Sequence, residues 1–214
     1  MAKNPPLLRA AFLTLLLHSS LGCAHPDARP GDAIRQRADK VVAPLHLTDA
    51  ATASRVRDLV AHEYHALSQL HADRDARLQA AKSTGDGKAS AESAAKKIRA
   101  EIEAKQDQLH ANFLAALASD LTPDQIDQIK DGMTYGVLPK TYRAYTDMLP
   151  DLTTEQKAQI LAWLTEAREH ALTAGSSEEK HAWFGKYKGR ITNYLTAAGY
   201  DLKSAEKAWL ARSK

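Results

Sequence analysis

The sequence predicts an all-α protein, in which a long antiparallel helical hairpin is joined to a compact C-terminal helical bundle. Much of residues 50–120 is rich in Ala, Glu and Lys, and the large apolar residues recur three and four positions apart. No stretch alternates apolar and polar residues as a half-buried strand does, and no Asn-Gly pair marks a β-hairpin. We therefore expect residues 32–214 to form a single helical domain.

Short polar motifs mark where the helices begin. In Leu121-Thr122 and Leu152-Thr153 the threonine can cap a helix, and a glutamine three residues later completes a capping box. Ser176 with Glu179 repeats this pattern, and Leu47-Thr48 resembles its beginning. The predicted helices span 32–45, 49–82, 89–118, 123–132, 139–148, 154–173, 177–198 and 202–212.

The two longest helices are predicted to form the hairpin, residues 49–118, with the bundle at 121–212. A Ser-Thr-Gly-Asp-Gly turn at 83–87 joins them. Each carries an apolar stripe near the end away from that turn, formed by Val56, Leu59, Tyr64, Leu67 and Leu70 on one helix and by Ile98, Ile102, Leu109, Phe113 and Leu117 on the other. We expect a hairpin that is well packed at its base and thin at its tip.

The first 24 residues have the pattern of an export signal. Lys3 and Arg9 give a short basic region, an apolar run follows at 10–17, and small residues follow that run. Cys23 is the only cysteine, and Leu21-Gly22 before it resembles a bacterial lipobox, which predicts lipidation at Cys23. Cleavage after Ala24 is the alternative. Either route predicts an exported protein, in the periplasm or as an outer-membrane lipoprotein, with a linker at 25–31.

Composition excludes several kinds of function. The chain has 29 Lys and Arg against 26 Asp and Glu, and two of the basic residues lie in the signal segment, so charge gives no reason to expect a nucleic-acid partner. A membrane partner is expected only through a lipid anchor at Cys23. No phosphate loop or dinucleotide fingerprint predicts a cofactor. His62 and His65 are three apart, unlike the zinc-protease spacing of four, so no metal is predicted.

The predicted helix 177–198 has two faces. Trp183, Tyr187, Ile191 and Tyr194 share one side, on which core packing is the simplest interpretation, and Lys186, Arg190 and Asn193 lie on another, typical of a solvated face. Gly185 and Gly189 are unfavourable inside a helix by about 1 kcal/mol each, so a close helix or a ligand is expected against them. Rings beside cations and amides suit a polar ligand. We predict that Trp183, Lys186, Arg190, Asn193 and the nearby His181 bind it.

Acid–base residues close the preceding helix. Glu166, Glu169 and His170 have i, i+3 and i+4 spacing, and such a set can transfer protons or lie on the surface as ordinary charges. Glu169, His170 and Tyr187 are the predicted catalytic residues if the protein is an enzyme, with Glu166 as a ligand-binding residue. A polysaccharide lyase or another glycoside-processing activity would suit them.

A second concentration of rings lies in residues 132–150. Two glycines and Pro139 interrupt the helix around Tyr135 and leave it in or beside a loop. Tyrosine combines a flat apolar face with a hydroxyl, which suits sugar rings as well as half-buried packing. The predicted ligand-binding residues here are Tyr135, Lys140, Tyr142 and Arg143.

These runs resemble a known family. Gly132-Met-Thr-Tyr-Gly136, Tyr142 to Leu152, Glu166-Ala-Arg-Glu169 and Trp183 to Leu195, followed by Ala-Ala-Gly-Tyr-Asp201, resemble the bacterial domain-of-unknown-function family numbered 3826. The resemblance covers residues 120–202 and departs at Thr192, where the family has Asn. Its members are exported proteins found with polysaccharide-degrading systems and described as sugar-binding. The resemblance therefore implies a carbohydrate partner, and it supplies no catalytic residues.

Three functions follow as expectations. The first is an exported protein of polysaccharide utilisation that binds or processes a glycan. The second is a periplasmic helical chaperone or sensor, because Gln125 and Gln156 also resemble the Leu-Thr-x-x-Gln periplasmic proteins. The third is a scaffold subunit of an envelope complex. A polar cleft favours the first, an exposed apolar or cationic concave surface on residues 49–118 favours the second, and a large apolar patch favours the third.

Overall fold

The computed structural model describes residues 30–83 and 87–212. Within them the chain forms eight α-helices and no strand, which confirms the all-α prediction: α1 Pro30–Val42, α2 Ala50–Ser83, α3 Lys88–Ala118, α4 Pro123–Met133, α5 Val137–Met148, α6 Thr154–Leu172, α7 Ser177–Ala197 and α8 Leu202–Arg212. None of these helices is long and apolar enough to cross a membrane. The predicted signal segment 1–24, with Cys23, and linker residues 25–29 lie outside the described residues.

Two helices differ from the prediction by two or more residues at an end. The first helix begins at Pro30 and ends at Val42, and Ala43–Leu45 tighten into a 3-10 turn. The fifth begins two residues before Pro139, because Gly136 adopts a left-handed conformation (φ 63°) that lets the helix start at Val137. Pro139 then lies in the first turn, where its missing amide hydrogen removes no helical hydrogen bond.

Side-chain caps fix most helix starts as predicted. Thr122 with Gln125, and Thr153 with Gln156, form complete capping boxes. Before α2, however, the cap is the Asp49 carboxylate rather than Thr48, since it accepts the Thr52 amide at 2.8 Å. The Ser176 hydroxyl accepts a hydrogen bond from the Glu179 amide at 3.0 Å. The Glu179 carboxylate, however, accepts its hydrogen bond from the amide of Gly175.

The hairpin is packed at its base and thin at its tip, as predicted. Its buried side chains are Val56, Val60, Glu63, Leu67 and His71 on α2 and Ile102, Phe113 and Leu117 on α3. No residue between His71 and Ile102 is buried in the described part of the hairpin. The base packs against α1 and α4 in a first core cluster, which includes Val41, Ile129 and Met133.

The C-terminal helices form a second core cluster. Ile160 and Leu164 of α6 pack on Phe184, Ile191 and Leu195 of α7, and all five are fully buried or nearly so. Half-buried Trp163, Trp183 and Tyr194 pack at its edge. The core interpretation of Ile191 is therefore confirmed.

The α4–α5 turn lies between the two clusters and has an unusual backbone. Gly132 allows α4 to approach α1, because a Cβ there would fall 3.1 Å from Val41 Cγ1. Tyr135 and Gly136 both have positive φ, 62° and 63°. Residues other than glycine rarely adopt this backbone conformation, and for Tyr135 it costs of order 1 kcal/mol. The Tyr135 ring is thereby held on the outside of the turn, 43% exposed.

Candidate functional site

A row of stacked side chains runs along the surface of the α6–α7 pair. The His170 ring lies parallel to the Trp183 ring, with 4.3 Å between centroids and 13° between planes. The ammonium of Lys186 lies 5.0 Å from the Trp183 centroid. Farther along, the Arg190 guanidinium lies 4.5 Å from the ring of Trp163. The aromatic and cationic faces of α7 therefore meet along one edge.

Tyr187 lies beneath this row. Burial, together with a hydrogen bond to the Glu166 carboxylate, raises the pKa of Tyr187 to about 12. A phenol with so high a pKa stays protonated at neutral pH, which opposes a role as general base. Glu166 also lies 3.7 Å from Arg190. Both residues thus have partners within the α6–α7 pair.

Glu169 belongs to a separate ionic network. Its carboxylate accepts from Lys130 of α4 at 3.1 Å and lies 3.6 Å from His110 of α3. Burial alone would raise the pKa of Glu169, but His110, Lys130 and the charge of Arg168 outweigh it and lower the pKa to about 2. Arg168 is itself buried and bonds Asp127 and Asp131, at 2.7 and 2.9 Å, so the network ties α6 to the hairpin side of the fold.

The three predicted catalytic residues therefore do not converge. The rings of His170 and Tyr187 are tilted, with centroids 6.3 Å apart. Glu169 faces α3 and α4 instead. Of the three, only His170 lines an open cleft.

That cleft lies between the base of the hairpin and the α6–α7 pair, and its volume is about 490 Å³. Its lining combines three rings with amide, carboxylate and guanidinium groups: His71, Arg74, Asp75, Arg99, Glu103, Gln106 and Asp107 from the hairpin, and His170, Thr173, Glu179 and Trp183 from the bundle. Arg74 and Glu179 approach to 3.6 Å across it. Both halves of the fold are needed to form the cleft.

The two halves meet at the carbonyl oxygen of Thr173. The Nε2 atom of His71 and the amide nitrogen of Gln106 both lie close to it, at 2.8 and 2.9 Å. Since a carbonyl oxygen only accepts, this contact assigns the proton of a neutral His71 ring to Nε2. The Nδ1 atom of His71 is buried and has no hydrogen-bond partner. Gly175 passes so close that a Cβ there would fall 2.9 Å from Nδ1.

A smaller chamber, of about 120 Å³, lies on the other side of His71. It is lined by Arg37 of α1, Tyr64, Leu67, Ser68 and His71 of α2, Tyr135 of the α4–α5 turn, Ala174–Ser177 and Lys180 of α7. The Tyr135 ring stacks on His181, with 5.5 Å between centroids and 15° between planes. Chamber and cleft share His71 and Ala174 in their walls, so the two cavities adjoin.

Two buried ionisable groups lie beside the chamber. Lys180 donates to the carbonyl oxygen of Met133 at 3.2 Å, and its burial, with the charge of Arg37, lowers its pKa to about 8. Glu63 is 2% exposed, and burial raises its pKa to about 7 against the attraction of His110 and Lys180. Its Oε1 atom has no hydrogen-bond partner. Strongly shifted groups beside a cavity are a physical signature of functional sites.

The remaining predicted ligand-binding residues lie elsewhere. Lys140 donates to the carbonyl oxygen of Tyr135 at 3.1 Å, and with Arg143 it lines a groove beside α8. Tyr142 packs on the second core cluster, and Asn193 is exposed on α7. The structure therefore joins Trp183 to His170 in the cleft, and Tyr135 to His181 beside the chamber, but it does not gather all the predicted residues into one site.

The two glycines of α7 face open space. A Cβ at Gly185 or Gly189 would have nothing within 4 Å. No helix in the described part of the chain crosses them, so packing against one of the eight helices does not explain their presence. Neither glycine lines the cleft or the chamber.

Residues 32–214 match the model of a family described as Protein of unknown function (DUF3826). The chain belongs to the DUF3826 family. No curated protein matches it. In this DUF3826 protein, no group of three or more His, Cys, Asp or Glu side chains within residues 30–83 and 87–212 could hold a metal ion.

Sequence reasoning missed the most unusual residues of the DUF3826 site. Arg37 and Lys180 were not singled out, Tyr64 was predicted as one member of an apolar stripe, and Glu63 and His71 were not placed in the core. One signal was present: Glu63 and His71 continue the three- and four-residue spacing of Val56, Val60 and Leu67. Polar residues in such a buried stripe need partners or a function.

Proposed function

We propose that this DUF3826 protein is an exported glycan-binding protein, whose site is the cleft between the hairpin base and the α6–α7 pair. The observation that carries the proposal is the lining of the cleft. Stacked Trp183 and His170 offer a flat apolar face, and planar groups such as Gln106, Arg74 and Asp107 surround it. Sugar rings need this combination, because they present apolar C–H faces and a rim of hydroxyl groups.

We propose binding rather than catalysis. An acid–base mechanism needs two groups positioned around one bond. Glu169 is held in its ionic network by Lys130 and Arg168, and the pKa of Tyr187 is raised to about 12. His170 is left as the one predicted acid–base residue in the cleft.

The chaperone and scaffold alternatives gain no support from exposed apolar surface. The scaffold calls for a broad apolar patch, and the chaperone for an apolar or cationic concave surface on the hairpin. Among the described residues the exposed large apolar side chains are Tyr135, Leu161 and Leu210, and none of them lies on the hairpin. The proposal that the protein is exported rests on the sequence of residues 1–24.

A thermal-shift panel of plant and algal oligosaccharides tests the proposal, with two tryptophan variants as a matched pair. Trp183 and Trp163 are both half-buried at the edge of the same core cluster, but only Trp183 lines the cleft. We expect Trp183→Ala to abolish the melting-temperature rise given by a bound glycan, and Trp163→Ala to retain it. If both variants keep the melting-temperature rise, or if both lose it equally, glycan binding lies outside the cleft.

A further inference from the structure

The chamber beside the cleft has the chemistry of an anion site. The guanidinium carbon of Arg37 and the ammonium of Lys180 lie 5.3 and 5.9 Å from the Tyr64 ring centroid, so two cations flank one phenol. No Asp or Glu is among its lining residues in the described part of the chain. Glu63 lies behind Lys180, outside the lining, and its pKa of about 7 leaves it partly protonated at neutral pH. The chamber is therefore lined by two cations, Arg37 and Lys180, and by no carboxylate among the described residues.

Hydrogen-bonding groups complete the lining. Ser176 and Ser177, the N-cap and first residue of α7, bring the positive end of that helix to the chamber. The Glu179 carboxylate, in the first turn of the same helix, does not line the chamber; it accepts the Gly175 amide at 2.7 Å and lies 3.6 Å from Arg74.

A buried group in this wall has unused hydrogen-bonding capacity. His71 is 6% exposed and lines the chamber, and its Nδ1 atom has no partner. That atom lies beside Gly175, another lining residue. In a neutral ring Nδ1 accepts from a hydroxyl group, and in a charged ring it donates to an anion. The wall of the chamber therefore holds a hydrogen-bonding atom that none of the described residues uses.

We propose that the chamber is a subsite for the carboxylate of a uronic acid residue, which makes acidic glycans the ligand class of the adjoining cleft. This inference rests on the proposed function. The volume of about 120 Å³ equals about four water molecules at ~30 Å³ each, enough for a carboxylate and the ring carbons next to it. The remaining sugar residues extend past His71 into the cleft, where Trp183 provides the stacking surface.

The lining assigns roles within this subsite. Arg37 and Lys180 pair with the carboxylate, and the exposed Tyr135 ring at the mouth stacks on the sugar. Tyr135 is held there by a strained backbone, and such strain is typical of positions where geometry is set by function. An occupied subsite also stabilises the charge of Lys180, whose pKa burial has lowered to about 8.

Calorimetric titration with matched oligosaccharides tests the inference. The probes are pectic, alginate and glucuronan oligosaccharides, each compared with its methyl ester, which keeps the sugar and removes the charge. We expect one acid form to bind at least about tenfold more tightly than its ester, the effect of one charge-assisted hydrogen bond or more. Sodium sulfate, titrated alone, is expected to bind far more weakly.

Three variants test whether the preference for the acid form over the ester arises in the chamber. Arg37→Gln and Lys180→Met are expected to weaken acid binding about tenfold or more, and to leave ester binding nearly unchanged. Arg35→Gln removes a neighbouring exposed cation of α1 that does not line the chamber, and it is expected to change neither. Arg37 is exposed, so its variant remains informative if Lys180→Met fails to fold.

The outcomes separate the two claims. Equal binding of acid and ester, or an Arg37→Gln variant that binds the acid as the natural protein does, overturns the uronate subsite and leaves glycan binding in the cleft intact. Sulfate binding as tight as that of the acid sugars also overturns it, since the chamber is then a general anion site. If no glycan of any kind binds, the proposed function itself fails.

Discussion

A carboxyl group in the core gives this protein an unusual pH dependence at the scale of a single residue. Glu63 is 2% exposed in the middle of α2, and burial raises its pKa to about 7 from an ordinary value of 4.5. The folded state therefore holds the Glu63 proton more tightly than the unfolded state does. This contribution to stability is fully present below pH 4.5 and is lost as the pH rises through 7.

Glu63→Gln removes that dependence. We expect the free energy of unfolding of the variant, relative to the natural protein, to increase between pH 4.5 and pH 7 by up to about 3 kcal/mol, at ~1.4 kcal/mol per pKa unit. Urea denaturation followed by circular dichroism at several pH values measures it, with exposed Glu92→Gln as the baseline. A difference between Glu63→Gln and the natural protein that stays constant over this range would contradict the buried, protonated state of Glu63.

The glycines of α7 give a second prediction at this scale. Because a Cβ at Gly185 or Gly189 meets nothing within 4 Å, alanine fits both positions. We expect each Gly→Ala change to stabilise the protein by about 0.5–1 kcal/mol, measured by thermal or urea unfolding. Gly175→Ala is the contrasting variant, since its Cβ would fall 2.8 Å from the His71 ring, and we expect it to destabilise the fold. Destabilisation by the α7 changes would mean that something packs on that strip.

Single residues also mark the limit of what the sequence predicts. Ile191 was predictable as core, because its spacing on α7 matches a buried stripe. Glu169 and His170 are adjacent in sequence, yet they face different helices, and only the packing of α6 against α4 and α7 determines this. Lys180 could not be recognised as buried, because its burial depends on the α4–α5 turn that supplies the Met133 carbonyl oxygen.

At the scale of elements, local signals were reliable and tertiary contacts were not. The threonine caps predicted α4 and α6 because a capping box is complete within four residues. The same local reasoning placed the cap of α2 one residue early, since a carboxylate at Asp49 competes with the threonine hydroxyl. The cleft was not predictable, because its two walls, around Gln106 and Trp183, lie far apart in the chain.

The hairpin divides into a base that forms the site and a tip that does not. Arg77 and Glu101 pair across the hairpin at 2.6 Å, and the cleft lining extends no farther toward the tip than Leu78 and Arg99. We expect replacement of residues 81–96 by a short Gly/Ser linker to change the free energy of unfolding by less than about 1 kcal/mol, as judged by urea denaturation, because none of the described residues in that segment, 81–83 and 87–96, is buried.

Glycan binding is expected to survive the same deletion. The melting-temperature rise given by a bound oligosaccharide should match that of the full hairpin. Loss of binding in a folded, shortened protein would assign the tip a direct role. Such a role would revive the chaperone or sensor hypothesis, in which the hairpin itself is the working part.

At the scale of the whole molecule, the site exists because the hairpin base and the C-terminal bundle are held together. The Arg168 and Glu169 network joins α6 to α3 and α4, and the Thr173 carbonyl oxygen receives hydrogen bonds from both α2 and α3. The match to the DUF3826 family model, over residues 32–214, covers both parts of the fold. The hairpin base and the α6–α7 pair thus form the two walls of the proposed binding site.

The three tryptophans of the chain report directly on this claim. Trp183 lines the cleft, Trp163 lies beneath Arg190 on the same helix pair, and Trp209 lines the groove beside α8. Titration with the oligosaccharide that raises the melting temperature most, followed by NMR of the three indole N–H signals, is the most direct measurement. We predict that the Trp183 signal shifts and the other two stay in place. A shift of the Trp163 or Trp209 signal, with that of Trp183 unchanged, would contradict the assignment of the site to the cleft.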